Sequence, residues 1–225
     1  AKSVDTSLFE EGAADILSAA ITEVQAVYDN KEATQDEVDA AAAKLERVIA
    51  SLPAKDGNLA FSATASTSFV SGWENLSGIN DGLVPESSYD PKIARYGSWG
   101  NTSKYETLTY TWGSEVTLKG SDIYFWYDGS ETDNGGINLP TSYVYEYLDA
   151  DGNWKEVPNA SAYNLDIDKF NATTFDEVTT TALRVTLNKQ AEDNTGVGVV
   201  EWKVYGTLAP VDKSELTEAI KEAET

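Results

Sequence analysis

Cysteine, histidine and methionine are absent from this chain. Without cysteine there are no disulfides, no thiolate nucleophile, no CxxC redox motif and no cysteine-bound zinc. Without histidine there is no Ser/His/Asp triad and no HExxH metal site. Positive charge is scarce: 16 Lys and Arg stand against 38 Asp and Glu, a formal net charge of −22. Phosphate recognition needs clustered Lys and Arg, so nucleic acid and anionic membrane are poor partners for this surface. No apolar run approaches the length of a bilayer-spanning helix, and no signal peptide is present in the stretch. The missing methionine predicts a piece processed or excised from a longer chain.

What is there is enough to fold. Hydrophobic residues make up 41% of the 225 positions and aromatics 11%, which suits one or two domains. Residues 1–53 carry apolar side chains at helical spacing: Ala13, Leu17, Ala20, Val24 and Val27, then Val38, Ala41, Leu45, Val48 and Leu52. Ser7 to Glu10 and Thr34 to Glu37 both have the capping-box pattern, and Pro53 closes the second segment. A helical hairpin is predicted. Two such helices bury little surface alone, so either a third helix upstream or the domain that follows must cover them.

Residues 58–207 switch to period-2 patterning. Leu108, Tyr110 and Trp112 alternate with threonines, Ile123 and Phe125 with Tyr124 and Trp126, and Val200, Trp202 and Val204 with Glu201 and Lys203, while Tyr143, Tyr145 and Tyr147 form another alternating run. Short alternating runs separated by turn residues, with Asp151-Gly152 as a hairpin signal, predict an antiparallel β-sandwich. Two irregular stretches, 66–104 and 128–142, are long enough to carry function. Residues 211–225 return to helix, with Leu216, Ala219, Ile220 and Ala223 on one stripe; they read as the first helix of a truncated second module.

Three groups of residues are candidates for chemistry. Trp73, Tyr89, Tyr96 and Trp99 fall in the first irregular stretch, with Glu74, Asp90 and Arg95 among them; Asp128, Asn134 and Asn138 come from the second. Sugar rings present C–H faces that pack on aromatic rings, while Asp, Asn and Arg take hydroxyls. The alternative is that these rings plug the sandwich under its loops. Asp81 sits in a glycine-containing turn that can aim carbonyls inward and Glu201 on the last strand; each has oxygens of the kind calcium takes, or else they are a turn cap and an exposed acid. Asp166, Asp168 and Glu177 match the first, third and twelfth positions of an EF-hand loop, but Phe170 and Asn171 stand where an acid or amide and a glycine are needed; an acidic connection between strands is the better reading. No spacing marks a catalytic carboxylate pair.

Two family resemblances rest on particular residues. Ala33 to Ala41, running on to Leu45 and Ile49-Ala50-Ser51-Leu52, resembles the final helix of a FIVAR-type repeat, a three-helix module of Gram-positive surface proteins, and Val211 to Leu216 resembles the first helix of another copy. Asn58-Leu59-Ala60, Ile79-Asn80-Asp81-Gly82 and Gly196 to Gly206 are similar to the frame of discoidin-like, galactose-binding-like jelly-roll modules. The variant with Trp73-Glu74 and Tyr96 to Gly100 resembles modules of large secreted bacterial glycosidases. That resemblance implies a mostly β jelly roll with structural Ca²⁺ held by the Asp81 and Glu201 side chains and carbonyls near Gly78 and Leu83. It departs at Leu83, where an acid or amide is common, so that residue offers only its carbonyl. It further implies a non-catalytic glycan-binding region, monomeric and beside a catalytic domain of the same chain, secreted or attached to a Gram-positive type of cell surface. A sugar-free structural spacer is the alternative. An enzyme in this stretch would have only carboxylate, Tyr, Ser or Lys chemistry.

Overall fold

The computed structural model describes residues 6–52, 54–88, 90, 92–128, 136–189 and 195–208. The helix expected over 211–225, and the candidates Tyr89 and Asn134, lie outside the described residues.

The hairpin forms as the periodicity predicts, with α1 at Ala13–Asp29 and α2 at Gln35–Ala50. The capping box of α2 is complete: the Glu37 amide donates to the Thr34 hydroxyl at 3.3 Å, and the Thr34 amide donates to the Glu37 carboxylate at 2.8 Å. The box expected at Ser7 does not form. Thr6–Leu8 is a single 3-10 turn, and Gly12, at φ 90°, redirects the chain so that α1 begins only at Ala13. A left-handed backbone before the first turn is cheap for glycine and takes the place of a side-chain cap. Lys44 pairs with Glu23 across the hairpin. Its base packs on the β domain, where Phe9, Ala13 and Leu52 meet Phe61 and the Phe9 and Phe61 rings lie 5.3 Å apart. The β domain is therefore a packing partner of the helices, one of the two arrangements the sequence left open.

Among the described residues eight strands follow: β1 Thr64–Thr67, β2 Tyr96–Gly97, β3 Tyr105–Trp126, β4 Ile137–Asn138, β5 Ser142–Leu148, β6 Trp154–Glu156, β7 Phe170–Asn188 and β8 Gly196–Leu208. The hydrogen-bonded order is β2-β8-β3-β7-β5-β6, with β1 on β3 and β4 parallel to β8. β3 and β7 serve both layers of the sandwich. The first half of β3 pairs with β1 and with residues 182–188 of β7; the second half pairs with residues 170–180 of β7 and with β8. Register shifts between Thr111 and Val116 and between Leu118 and Gly120 mark where β3 bends from one layer to the other.

The interior follows from the alternation. Leu108 and Tyr110 from one layer meet Ile123, Phe125, Trp202 and Val204 from the other. Trp202 is fully buried and stacks on Tyr110 at 4.2 Å, while its indole N–H donates to the Ser121 hydroxyl at 2.8 Å. Burying a side chain of this kind contributes about 1.5–3 kcal/mol relative to exposure.

Candidate functional site

The second register shift in β3 has a local consequence. After Gly120 the buried phase changes, so that Ile123 and Phe125 point into the core while Tyr124 and Trp126 point to the outer face of the same layer. That face is not left to solvent. Tyr124, Trp126, Ile137 and Val200 form a second cluster, roofed by Ile93 from the irregular stretch.

Trp126 lies on a floor of backbone. Gly97 and Gly198 are paired between β2 and β8. A Cβ on Gly97 would stand 2.7 Å from Trp126 Cζ3 and 2.9 Å from Glu74 Cγ; one on Gly198 would stand 2.7 Å from Trp126 Cε3. Only residues without a side chain let the indole approach so closely. The Arg95 guanidinium sits 4.0 Å over the Trp126 ring and donates to the Asp90 carbonyl at 3.0 Å.

Above this floor opens a cleft of about 330 Å³, lined by Trp73, Glu74, Trp99, Trp126, Asp128, Gly136 and Ile137. Trp73 is 83% exposed and Trp99 46%. Both are large apolar rings left in water. The Asp128 carboxylate accepts the Ile137 amide at 2.8 Å, which ties β4 to the end of β3. Two polar atoms of the lining residues are buried without a protein partner: Glu74 Oε2, an acceptor, and Trp126 Nε1, a donor. Burial pushes the Glu74 carboxyl up, and the charge of Arg95 opposes that. A hydroxyl, which both donates and accepts, matches such a pair.

Of the sequence-predicted binding residues, the structure brings Trp73, Trp99 and Asp128 to one cleft, while Arg95 stacks on the Trp126 ring outside the cleft lining. Tyr96 is a correction. It is fully buried, its hydroxyl lies 3.4 Å from that of Thr67, and no face of its ring is open for stacking. Strand alternation explains this: Tyr96 pairs with Val199 and points inward. Trp126 is the residue the site reading missed. Its signal was a strand apolar on both faces, which requires cover on both sides.

The second candidate locus joins Asp81 and Glu201. Glu201 is fully buried on β8. Its Oε2 accepts the Gly82 amide at 3.3 Å, and its Oε1 has no protein partner. Asp81 accepts the Leu83 amide at 2.8 Å. Burial first, and then the negative charge of Asp81, pushes the Glu201 carboxyl up to about 9; burial also raises Asp81. Gly78 precedes this turn at a close approach, since a Cβ there would lie 2.4 Å from the Ala94 backbone carbon. Two neighbouring carboxylates, one with an orphaned buried oxygen, fit a hard divalent cation completed by backbone carbonyls. Among the described residues no group of three or more acidic or imidazole side chains gathers anywhere, so carbonyl donors would be required. The EF-hand-like run is a connection: Asp168 accepts the Ser88 amide at 2.7 Å, Asp166 pairs with Lys169 at 2.9 Å, and Glu177 lies on β7.

Residues 136–202 match the family model described as "Beta-galactosidase-like, Galactose-binding domain". This stretch supplies Gly136 and Ile137 of the cleft and Glu201 of the acidic pair. Among solved structures, the chain is similar to one from the Streptococcus pneumoniae β-galactosidase BgaA, at 21% identity and a TM-score of 0.55, over 64% of this chain and 92% of that one. It is also similar to a Ruminococcus gnavus GH29 fucosidase solved with fucose, at 17% identity and a TM-score of 0.50, over 79% of this chain and 31% of that one. These likenesses show the fold of the β domain, an antiparallel β-sandwich of the galactose-binding-like kind; in this chain two helices precede it.

Proposed function

We propose that this chain is a non-catalytic carbohydrate-binding region of an extracellular bacterial glycoside hydrolase, and that the cleft between Trp73 and Trp99 holds the glycan. The observation that carries the reading is the combination of two exposed indoles with two carboxylate residues, Glu74 and Asp128, around one small cleft. The rings cover the C–H faces of a sugar, and the carboxylates take its hydroxyls. The description of the matching family model favours a galactose-containing glycan, and the resemblance to modules of secreted glycosidases leaves an arabinose-containing one as the alternative. The cleft is shallow, so binding to a single sugar is weak, and its use is proximity: holding a neighbouring catalytic domain near its substrate raises effective concentration without new chemistry. In this reading the hairpin is part of a FIVAR-type spacer, the protein is secreted or attached to a Gram-positive type of cell surface, and Asp81 and Glu201 hold a structural Ca²⁺ with carbonyls of Gly78 and Leu83. The ion would neutralise the buried carboxylates and pin the Asp81 turn to β8.

Calorimetry or tryptophan fluorescence with galactose-, arabinose- and fucose-containing oligosaccharides tests the reading. Binding to at least one is expected; no binding across the panel would leave the spacer role as the better account. Trp73→Ala and Trp99→Ala are each expected to weaken binding by about tenfold or more, since a truncated aromatic anchor costs at least that much. The melting temperature of Trp73→Ala should stay near that of the parent, because the exposed ring contributes little burial. Unfolding of that variant, or unchanged affinity, would count against the cleft.

A further inference from the structure

We propose that a buried ion pair outside the cleft, Glu106 with Lys189, positions both exposed tryptophans at once. The inference rests on the reading of the cleft as the glycan site. Glu106 and Lys189 side chains are 0% and 3% exposed, and Lys189 Nζ stands 3.2 Å from Glu106 Oε1. Each oxygen of the carboxylate reaches a different loop. Oε1 also accepts the Asn101 amide nitrogen at 2.7 Å, and Oε2 accepts the Ser68 hydroxyl at 3.0 Å. Lys189 completes the link by donating to the Asn101 carbonyl at 2.6 Å.

Those two contacts lead to the two rings. Asn101 closes the turn that carries Trp99, its amide donating to the Ser98 carbonyl at 3.1 Å. Ser98 is itself held on β8, where its hydroxyl accepts the Val197 amide at 3.0 Å. On the other side, Ser68 begins the segment that reaches Ser71. The Ser71 amide donates to the Gly97 carbonyl at 2.9 Å, and its hydroxyl accepts the Trp73 amide at 3.3 Å. One carboxylate therefore ties the Trp73 and Trp99 segments to the same point of β3, and the Lys189 ammonium, just past the end of β7, holds that carboxylate in place. A buried pair of this kind adds little net stability compared with apolar side chains of similar volume, because both charges must lose water. Its physical advantage is directional: a charged acceptor with two occupied oxygens fixes the separation of the loops it binds. The Trp73 ring, 83% exposed, has little packing of its own to do so.

The test replaces the pair and reads the rings. The double variant Glu106→Leu with Lys189→Met removes both charges while keeping the volume. Its melting temperature is expected to stay close to the parent's. The indole N–H signals of Trp73 and Trp99 in ¹⁵N NMR should shift or broaden, that of buried Trp202 should not, and affinity for the bound oligosaccharide should fall about tenfold. Two single variants separate the arms and leave the pair intact: Asn101→Ala should disturb the Trp99 signal and Ser68→Ala the Trp73 signal. Unmoved indole signals in a folded double variant would overturn the proposal, as would arm variants that disturb neither ring or both alike. If the double variant does not fold, the arm variants decide. A parent protein that binds no glycan would overturn the cleft reading instead, and the indole signals would still judge the positioning.

Discussion

In chelator, the stability of the protein is expected to fall as pH is raised from about 5 to about 9, and calcium is expected to remove that slope. The sign follows from Glu201. Its folded carboxyl is pushed up to about 9 from an ordinary 4.5, by burial and then by Asp81, with Lys203 opposing and Asp56 adding to the rise. Between those values the folded state keeps a proton that the unfolded chain has released, so stability is lost with rising pH, by up to about 1.4 kcal/mol per pH unit. The contribution is fully present below the unfolded value and is gone once pH passes the folded one. Asp81 and Glu74, both raised by burial, act in the same direction. Glu146 and Asp149, lowered by their Arg184 and Lys155 partners, act below this window, and the raised tyrosines act above it. A divalent cation holds the carboxylates ionised in the folded state and cancels the effect; at a hundredfold excess over its Kd it adds about 2.7 kcal/mol. Thermal melts across pH, with calcium or chelator, read both quantities. Glu201→Gln should flatten the slope, become more stable than the parent in chelator at pH 8, and gain nothing from calcium. A parent melting temperature indifferent to both pH and chelator would sink the calcium assignment.

The same locus shows what a sequence can and cannot carry. Asp81 and Glu201 were singled out through a resemblance, and nothing in their spacing showed that Glu201 would be fully buried with an orphaned oxygen. The sandwich was legible because its strands alternate cleanly. Its longest strand was not: the alternation is legible only as far as Trp112, and nothing in Gly113-Ser114-Glu115 shows that β3 runs through it and resumes its ladder at Val116 opposite Thr180. An irregularity inside a strand has the same composition as the end of one. The hairpin was legible from its period, and one cap was right because Thr34 and Glu37 bond locally. The other failed because Gly12, three residues before Asp15, set the helix start by backbone conformation. Trp73, Trp99 and Asp128 were found by composition of the irregular stretches. Tyr96 was misplaced because a two-residue strand gives no alternation to read, and Trp126 was overlooked because the phase change at Gly120 is a tertiary event.

The largest single-residue loss of stability is expected where a charge would be stranded. Lys189→Met leaves the Glu106 carboxylate fully buried with the Asn101 and Ser68 contacts but no cation, and Glu106→Leu leaves the Lys189 ammonium with only the Asn101 carbonyl. Removing one partner of a buried pair typically costs about 3–5 kcal/mol, because the remaining ion cannot recover its hydration. The exposed pair Lys44–Glu23, by contrast, is solvated on both sides, and breaking it should cost about 1 kcal/mol or less. Arg184 with Glu146 falls between them: it is half-buried, bonded through the guanidinium Nε and Nη2, and stacked on Trp154 at 4.4 Å. Urea unfolding of the Lys189→Met protein should show a lower midpoint with an unchanged slope, the mark of a stability change without a change in compactness. Because the double apolar replacement removes both ions, it should recover most of what either single variant loses. That non-additivity is the decisive quantity: single variants that each cost less than about 1 kcal/mol, or a double variant equal to their sum, would mean that water reaches the pair and that its charges are not held against the low dielectric of the core.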